Sequence, residues 1–365
     1  MLQRRIDPIF NNVKYSDYIS SEKIVGGIVP RGVIIGGGSW GLAFASLMVY
    51  NGTEVSLWEY NPLYVEEIKE TGYNKKLLPD IKIDPQILIS SKMSDVFTKN
   101  PDILIFAVPS HTMRGVAAQT APFLENLNSL QSIVNLAKGI EEDSMLRMSE
   151  VIASQIPSQF GHLISSLSGP SHAEEVARRI PTTVVLAGEN EESLTYTQEL
   201  ISNEFFRIYR SNDIIGVELG GAVKNIIAIA SGIVSGLGLG DNTQGALLTR
   251  GLAEIRRLGD VMGADPNTFN GLSGIGDLIT TAFSTHSRNR YVGYQLGKGK
   301  KLPDILASMT MVAEGVKTTK SIYQLKKQKN VLMPITEQIY QVLFNDKSPQ
   351  QAIYDLMTRE LKEED

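Results

Sequence analysis

A short glycine-rich segment that directly follows a run of β-branched residues does most to constrain the fold. The run "VII" at 33–35 leads into "GGGSWG" at 36–41, and a segment of small apolar residues follows. Gly36, Gly38 and Gly41 have the spacing G-x-G-x-x-G, which forms the phosphate-binding turn of dinucleotide-binding domains when a strand precedes it and a helix follows. A flexible turn without a ligand can have the same spacing, so the rest of the chain has to decide between the two interpretations.

Short β-rich runs alternate with longer helical patterns from residue 32 to about residue 212. This alternation is typical of a mainly parallel sheet whose crossover helices cover both faces. After residue 212 the apolar residues follow helical spacing alone. We therefore predict the α/β fold class, with a Rossmann-type, mainly parallel sheet, helices on both faces, and an all-α C-terminal domain after it. The predicted strands are 32–36, 54–58, 87–90, 102–109, 132–139, 162–170 and 182–188.

The change of pattern divides the chain into three parts. Residues 1–30 precede the first strand and form an N-terminal extension to which no function is assigned. Residues 31–212 are predicted to form the dinucleotide-binding domain, and residues 213–365 a helical domain for substrate binding and catalysis. A chain of 365 residues is long enough for both, because single domains usually hold about 100 to 200 residues.

The composition excludes several classes of function. Hydrophobic residues make up 42% of the chain and charged residues 21%, as in globular proteins. The net charge of −5 offers no basic surface to a nucleic acid. The absence of cysteine excludes disulfides and thiolate chemistry and fits a cytoplasmic protein. The sequence contains no run of roughly 18 apolar residues, so membrane insertion is not predicted. The four histidines have no metal-ligand spacing, and none is assigned a catalytic role.

The end of the second predicted strand bears on the choice of cofactor. Dinucleotide-binding domains carry an acidic residue there, about 20 positions after the glycines, which binds the ribose hydroxyls. Glu59 lies 18 positions after Gly41, and the following Tyr60 and Asn61 bring no cation for the 2′-phosphate of NADP. We predict that Glu59 and Tyr60 contact the cofactor and that NAD is favoured over NADP. The alternative is that Glu59 is a solvated strand end.

Lys224 is the strongest catalytic candidate. It lies beside Asn225 in the apolar helical segment 217–236, and burial of an ammonium group is costly unless the group is paired or used. Burial also lowers the pKa of a lysine, which suits proton transfer near neutral pH. Asp277, in a glycine-rich turn, is the predicted partner that holds Lys224 in place. The alternative is a lysine that extends into solvent from an ordinary helix.

Further residues predict a site for a small anion. Arg288 opens a predicted helix, where a guanidinium and free backbone N–H groups bind phosphate together; a solvated helix start is the alternative. Lys138 follows a buried strand, and in the segment "LSGPSHAEEVA" at 167–177 Ser171 is predicted to cap a helix. We expect Lys138 and Arg288 to converge with Lys224 on an anionic substrate.

Taken together, these segments resemble the NAD(P)-dependent glycerol-3-phosphate dehydrogenases of the bacterial type. The resemblance implies an oxidoreductase that reversibly reduces dihydroxyacetone phosphate to sn-glycerol 3-phosphate for glycerophospholipid synthesis, with NAD or NADP as cofactor. The matching stretches run in order from about residue 32 to the C-terminus: "GGGSWGLAFA", "AVPSH", "NLAKGIE", "LSGPSHAEEVA", "PTTVVLAG", "GVELGGAVKNIIAIASGIVSGLGLGDNTQGALLTRGLAEIRRLG", "GLSGIGDLITTAFSTHSRNRYVG" and "MPITEQIY".

The resemblance also implies roles for single positions. Lys224 matches the family's catalytic lysine, which Asp277 would orient, and Asn225 is expected to bind a substrate oxygen. The positions that match substrate contacts are Lys138, Gly169, Ser171, Asp277, Ser287, Arg288 and Asn289. The positions that match cofactor contacts are Ser39, Trp40, Lys138, Ala173, Arg288, Val312 and Glu314, to which the local pattern adds Gly36, Gly38, Gly41, Glu59 and Tyr60.

One departure from the family and two other functions are considered with this prediction. Many bacterial members carry a basic residue or a histidine after the second strand, where this chain has "WEYN" at 58–61, and this departure strengthens the preference for NAD. A 3-hydroxyacid or ketopantoate-type reductase would share the architecture but prefer a carboxylate substrate. A non-catalytic NADH-sensing module would need only the glycine turn.

The partners predicted from the sequence are the small-molecule substrate and a second copy of the chain, because the apolar faces of the helical domain favour a homodimer.

Overall fold

The computed structural model describes residues 29–361, 363 and 364, so the predicted extension falls outside it except for its last two residues. Within the described part, the first half of the chain forms an eight-stranded sheet and the second half is helical. The strands are β1 Arg31–Ile35, β2 Glu54–Trp58, β3 Leu88–Ser90, β4 Ile103–Phe106, β5 Ser132–Asn135, β6 Ile164–Ser168, β7 Thr182–Gly188 and β8 Phe206–Ser211.

The strand order is β3-β2-β1-β4-β5-β6-β7-β8, and only β6 and β7 pair antiparallel among the described strands. The predicted mainly parallel, Rossmann-type sheet is therefore confirmed. The chain order reverses between β1 and β4, and a doubly wound sheet opens its ligand crevice at the carboxyl ends of the strands at such a point. The segments that follow β1 and β4 thus lie where a dinucleotide would bind.

Several bounds of the predicted strands were wrong, and one strand was missed. The strands expected at 102–109 and 132–139 end already at Phe106 and Asn135. The strand expected at 162–170 begins only at Ile164, because Ser158–Leu163 forms a 3₁₀-helix. The edge strand β8 was missed. In β8 the apolar Phe206 and Ile208 are buried while Arg207 and Tyr209 are exposed, so its alternation is that of a half-buried strand rather than of the apolar runs in the sheet centre.

Seven described α-helices accompany the sheet, and eight described α-helices form most of the C-terminal part. The first set is α1 Ser39–Tyr50, α2 Pro62–Thr71, α3 Met93–Val96, α4 Met113–Thr120, α5 Met148–Ala153, α6 Ala173–Ala177 and α7 Glu191–Ile201. The second set is α8 Ile214–Gly236, α9 Asp241–Met262, α10 Asp277–Phe283, α11 Arg288–Gly297, α12 Leu302–Ala307, α13 Glu314–Gln328, α14 Pro334–Phe344 and α15 Pro349–Met357. The predicted all-α second half is confirmed.

The sheet is covered by apolar side chains on both of its faces. Along β1, Val33 and Ile35 belong to one buried cluster and Ile34 belongs to another, because successive side chains of a strand point to opposite faces. All three residues are at most 2% exposed. Burial on both faces explains why the central strands are continuous apolar runs.

Helix α8 is the centre of the helical part. By length and composition it could cross a membrane, but 89% of its most apolar window is buried inside the structure. Helices α9, α10, α11 and α13 pack around it. Its apolar character therefore follows from its place in the core, and Lys224 is a charged residue in the middle of that core helix.

Glu218 anchors the first turns of α8 to the sheet. Its carboxylate accepts a hydrogen bond from Arg147 at 2.7 Å and two from Ser149, from the backbone N–H at 2.8 Å and from the hydroxyl at 2.6 Å. Ser166 in β6 donates a further hydrogen bond at 2.9 Å. A buried carboxylate is stable only with such partners. The network fixes α8 against β6 and α5, six residues before Lys224.

We expect Glu218→Ala to lower the free energy of unfolding by about 1–3 kcal/mol, because it leaves the buried hydroxyls of Ser149 and Ser166 without their acceptor, while Arg147 keeps its ion pair with Glu150. The measurement is denaturant unfolding followed by circular dichroism. Glu189→Ala, at an exposed glutamate, serves as the control and should change the free energy of unfolding by less than about 0.5 kcal/mol. A loss in Glu218→Ala no larger than in this control would contradict the anchoring role.

Candidate active site

The glycine turn has the geometry of a phosphate cradle. It joins the end of β1 to the first turn of α1, and Gly36 has a φ of +120°, a conformation that favours glycine. A Cβ atom on Gly41 would lie 1.8 Å from the carbonyl oxygen of Gly36, whereas one on Gly38 would meet nothing within 4 Å. Gly41 thus lets α1 pack on β1, and Gly38 leaves open space before the free N–H groups of α1. This arrangement fits the pyrophosphate of a dinucleotide.

Two other segments lie against this turn. The hydroxyl of Ser39 donates to the carbonyl oxygen of Leu77 at 2.7 Å and contacts the sulfur of Met311 at 3.3 Å. Val312, the next residue, is 37% exposed. The structure therefore brings Val312 into the neighbourhood of Ser39, as expected if both contact one cofactor.

Trp40 and Ala173 lie on two helices that pack against each other, α1 and α6. Trp40 packs edge-on against Phe44, with the ring centroids 5.6 Å apart. Ala173 is buried as the first residue of α6. The structure places both residues beside the carboxyl ends of the strands, and their contact with the cofactor remains a prediction.

Glu59 is buried against the glycine turn. It is 3% exposed and accepts a hydrogen bond from the backbone N–H of Asn61 at 2.9 Å. A Cβ atom on Gly37 would lie 2.6 Å from its Oε2. Burial raises the pKa of Glu59, while the N–H groups of Asn61 and Gly37 oppose that rise. The solvated strand end is therefore wrong for Glu59, although the neighbouring Tyr60 is 72% exposed.

Two lysines share one buried carboxylate in the crevice. Lys224 is 5% exposed, and its Nζ lies 2.8 Å from Oδ1 of Asp277, the first residue of α10. The Nζ of Lys138 lies 2.6 Å from Oδ2 of the same carboxylate and donates to the carbonyl oxygen of Gly169 at 3.0 Å. Lys224 also donates to the hydroxyl of Thr281. The alternative of a solvent-exposed Lys224 is thus wrong, and its expected pairing with Asp277 is present.

The electrostatics of the cluster suit proton transfer at Lys224. Burial lowers the pKa of Lys224 to about 8; Asp277 opposes this shift, and the positive charges of Lys138 and Arg288 add to it. Burial alone would raise the pKa of Asp277, but the two lysines more than offset that effect and lower it. Near neutral pH the cluster therefore holds a charged carboxylate beside an ammonium that releases its proton readily.

Arg288 lies at the start of α11, as predicted. Ser287 is the N-cap residue of this helix, and its hydroxyl accepts a hydrogen bond from the backbone N–H of Arg290 at 3.2 Å. The side chain of Arg288 keeps an open face to solvent, yet protein surrounds it closely enough that burial lowers the pKa of the guanidinium, which Glu314 and Glu174 partly offset. A cation at a helix start in a crevice is a site for phosphate.

Asn225 and Asn289 join three helices. The Nδ2 of Asn289 donates to Oδ1 of Asn225 at 2.8 Å, and Oδ1 of Asn289 accepts from the backbone N–H of Gly315 at 2.9 Å. The next residue back, Glu314, accepts hydrogen bonds from the backbone N–H and the hydroxyl of Ser110, which follows β4. These bonds fix α8, α11 and α13 around the crevice and tie α13 to the sheet.

One prediction at the site was wrong. Ser171 does not cap the following helix, because it lies one residue before the N-cap position; its hydroxyl donates to the carbonyl oxygen of Gly169 at 3.0 Å. Helix α6 begins at Ala173 with His172 as its N-cap residue, and no side chain accepts a capping hydrogen bond there. The hydroxyl thus holds the turn after β6, beside Lys138, rather than the helix.

Sequence reasoning missed two residues of the site. Thr281 could have been found, since it lies four residues after Asp277 and residues four apart share one face of a helix. His172 could not have been found, because its surroundings depend on how α6 and the segment before α11 come together. Its imidazole lies against that of His286, with the ring centroids 5.7 Å apart.

Comparisons with known proteins agree with this geometry. The sequence models of the N-terminal and C-terminal parts of the NAD-dependent glycerol-3-phosphate dehydrogenases match residues 33–194 and 213–354. A protein of Geobacter sulfurreducens named glycerol-3-phosphate dehydrogenase [NAD(P)+] is 48% identical over 331 residues, which cover 91% of this chain and 98% of that protein. The chain belongs to this family. The resemblance inferred from the motifs is confirmed, and the chain is an oxidoreductase that uses NAD or NADP.

Solved structures extend the comparison. The crystal structure of glycerol-3-phosphate dehydrogenase from Coxiella burnetii has a TM-score of 0.85 and 35% identity, and the match covers 91% of this chain and 99% of that one. A ketopantoate reductase of Ralstonia eutropha has a TM-score of 0.58 at 13% identity. The second likeness shows a shared fold alone, as expected for the related reductases that share this architecture.

Proposed function

We propose that this chain catalyses the reversible, NAD(P)H-dependent reduction of dihydroxyacetone phosphate to sn-glycerol 3-phosphate, the precursor of glycerophospholipids. The observation that carries the proposal is the buried Lys224 paired with Asp277 and flanked by Lys138. A module that only senses NADH needs the glycine turn but has no use for a buried ammonium held by a buried carboxylate. The relatives' names support the same reaction.

The substrate would lie along the line of cations. Arg288 binds the phosphate together with Ser287 and the backbone N–H groups at the start of α11. Asn289 and Asn225 line this part of the substrate site. Lys138 and the turn at Gly169 and Ser171 form its opposite end. Charged groups that converge on a phosphate hold the carbonyl at a fixed position, and such positioning lowers the barrier of the chemical step.

Proton transfer is assigned to Lys224. When bound, the nicotinamide would supply the hydride for C2 of the ketone, and negative charge would develop on the C2 oxygen. The ammonium of Lys224 gives one proton to that oxygen, and Asp277 keeps the lysine oriented and charged for the transfer. Positioned general acids of this kind contribute roughly 10²- to 10⁴-fold to a rate.

Residues at the carboxyl ends of the strands, with a few residues of the helical part, would hold the cofactor. Gly38 and the start of α1 fit the pyrophosphate, and Glu59 fits the adenosine ribose. The full proposed set is Gly36, Gly38, Ser39, Trp40, Gly41, Glu59, Tyr60, Lys138, Ala173, Arg288, Val312 and Glu314. The division of the chain near residues 212 and 213 is part of the same proposal, and it is supported by the end of β8 at Ser211 and the start of α8 at Ile214.

The test of the function follows NADH and NADPH oxidation separately with dihydroxyacetone phosphate, with ketopantoate and with an unphosphorylated 3-keto acid. We expect turnover with dihydroxyacetone phosphate and none with the keto acids, because Arg288 and the helix start fit a phosphate. Turnover with a keto acid alone would favour the related reductases. Cofactor binding without turnover of any substrate would favour a sensing module.

We propose that NAD is the preferred cofactor, because the carboxylate of Glu59 would accept a hydrogen bond from the ribose 2′-hydroxyl and repel a 2′-phosphate. Glu59→Gln removes this charge and keeps the shape. Since a hydrogen bond to a charged group contributes about 1.5–3 kcal/mol, the preference for NADH over NADPH should fall by roughly 10- to 100-fold, measured as a ratio of kcat/KM values. Glu70→Gln, at an exposed glutamate of α2, should leave the ratio unchanged, and an equal effect in both variants would refute the proposal.

We also propose a homodimer in the cytoplasm. The exposed apolar side chains Leu332, Tyr354 and Met357 of the helical part support the dimer, and the absence of cysteine supports a reducing compartment. Light scattering after size-exclusion chromatography should give twice the mass of one chain. The mass of a single chain would contradict the dimer.

A further inference from the structure

Ser110 binds both carboxylate oxygens of Glu314, although the two residues lie 204 positions apart in the sequence. The backbone N–H of Ser110 donates to Oε1 at 3.3 Å, and its hydroxyl donates to Oε2. Ser110 follows β4 and is 6% exposed, and Glu314 is the first residue of α13. The two hydrogen bonds therefore tie the start of α13 to the sheet and fix the direction of the carboxylate.

The same carboxylate lies near Arg288. The backbone N–H of Gly315 donates to Oδ1 of Asn289 at 2.9 Å, so a hydrogen bond joins the residues that directly follow Glu314 and Arg288. Burial lowers the pKa of the Arg288 guanidinium, and the negative charge of Glu314 is the strongest of the charges that oppose this shift. The carboxylate and the guanidinium are therefore close enough to attract each other.

The two charges nevertheless do not meet. Among the described residues, the guanidinium of Arg288 has no ion-pair or hydrogen-bond partner. Neighbouring guanidinium and carboxylate groups readily form paired, charge-assisted hydrogen bonds, and such a pair would occupy the group that the phosphate needs. Both oxygens of Glu314 are instead engaged by Ser110, and the guanidinium keeps its donors for a ligand.

We propose that Ser110 is a positioning residue, which holds the Glu314 carboxylate away from Arg288 and so leaves the guanidinium available for the substrate phosphate. The inference rests on the proposed role of Arg288 as the phosphate site. Without the Ser110 hydroxyl, the carboxylate turns to Arg288 and takes the place of the phosphate. A group tethered beside its partner has a high effective concentration, so a phosphate ligand has to displace it and binds more weakly.

The experiment measures the dissociation constant of sn-glycerol 3-phosphate for the NADH-saturated protein by calorimetry, because this mixture cannot turn over. Wild type, Ser110→Ala, Glu314→Gln and the double variant form a cycle. Glutamine keeps the length of the side chain but has no charge, so in that background Ser110 has no carboxylate to hold back. Ser94→Ala, at an exposed serine of α3 whose hydroxyl donates to Asp95 at 3.4 Å, is the matched control. Thermal unfolding of every variant checks that it is folded.

For Ser110→Ala we expect the dissociation constant of sn-glycerol 3-phosphate to rise roughly 10- to 100-fold, the effect of one hydrogen bond to a charged group. In the Glu314→Gln background the same substitution should change it by less than about threefold, and Ser94→Ala should leave it unchanged. At saturating NADH, KM for dihydroxyacetone phosphate should rise in parallel while kcat changes little, because Lys224 is untouched. If Ser110→Ala does not fold, Ser110→Cys, whose thiol is a weak donor, takes its place.

Three results would overturn the inference: an equal rise of the dissociation constant in both backgrounds, which indicates a structural role of Ser110; no rise in Ser110→Ala, which shows that the freed carboxylate does not reach Arg288; or the same rise in Ser94→Ala. The failure of the proposed function would look different. In that case wild type itself would neither bind sn-glycerol 3-phosphate nor reduce dihydroxyacetone phosphate, whatever the result at Ser110.

Discussion

We expect Lys224→Ala to lower kcat/KM for dihydroxyacetone phosphate by roughly 10²- to 10⁴-fold, the contribution of a positioned general acid, and to retain NADH binding. The reason is that, in the proposed mechanism, the ammonium donates the proton to the C2 oxygen, whereas the glycine turn and Glu59 hold the cofactor. Steady-state kinetics give the first quantity, and quenching of protein fluorescence by NADH gives the second.

The control for this prediction is Lys300→Ala, because Lys300 is an exposed lysine of the same helical part. Its kinetics should match wild type. The role of Lys224 would be refuted if Lys224→Ala kept more than about a tenth of wild-type kcat/KM, since that is a smaller loss than general acid catalysis accounts for. Joint loss of activity and of NADH binding would instead show a structural collapse of the crevice.

Asp277→Asn is the second substitution with a large expected effect. It removes the charge that both lysines share and leaves two ammonium groups close together in a buried place. Removal of one partner from a buried ion pair costs about 3–5 kcal/mol in the free energy of unfolding. Because the carboxylate opposes the lowering of the Lys224 pKa, its loss should move that pKa further down.

The pH dependence distinguishes this effect from simple unfolding. Reduction needs the protonated lysine, so a lower pKa moves the fall of the rate to lower pH. We expect the folded fraction of Asp277→Asn to lose activity at a lower pH than wild type does, with kcat reduced and KM for NADH little changed. Asp260→Asn, at an exposed aspartate of α9, is the control. An unchanged pH profile in Asp277→Asn would show that the carboxylate does not set the charge of Lys224.

The parts of the site that the sequence predicted are those encoded by local pattern. Gly36, Gly38 and Gly41 are recognisable because turn geometry and helix packing require glycines at a fixed spacing. Lys224 is recognisable because a lone ammonium in an apolar helix has to be paired or used. Arg288 is recognisable because it opens a helix.

The parts that the sequence did not predict depend on contacts between distant segments. Lys138 and Lys224 share the carboxylate of Asp277, although they lie 139 and 53 positions away from it in the sequence. The hydrogen bond between Asn289 and Asn225 joins two helices, and the two residues are 64 positions apart in the sequence. The N-cap of α6 was misplaced because the helix begins only at Ala173, which leaves Ser171 in the preceding turn, where its hydroxyl donates to the carbonyl oxygen of Gly169.

The most direct test of the account is the pH profile of dihydroxyacetone phosphate reduction in wild type and in Lys224→Ala at saturating NADH. Since burial lowers the pKa of Lys224 to about 8 and reduction consumes its proton, the wild-type rate should be constant below that pH and fall about tenfold per pH unit above it. The reverse oxidation should rise over the same range, and the inflection should be absent from Lys224→Ala. An inflection that persists unchanged in Lys224→Ala would contradict the assignment of Lys224 as the proton donor.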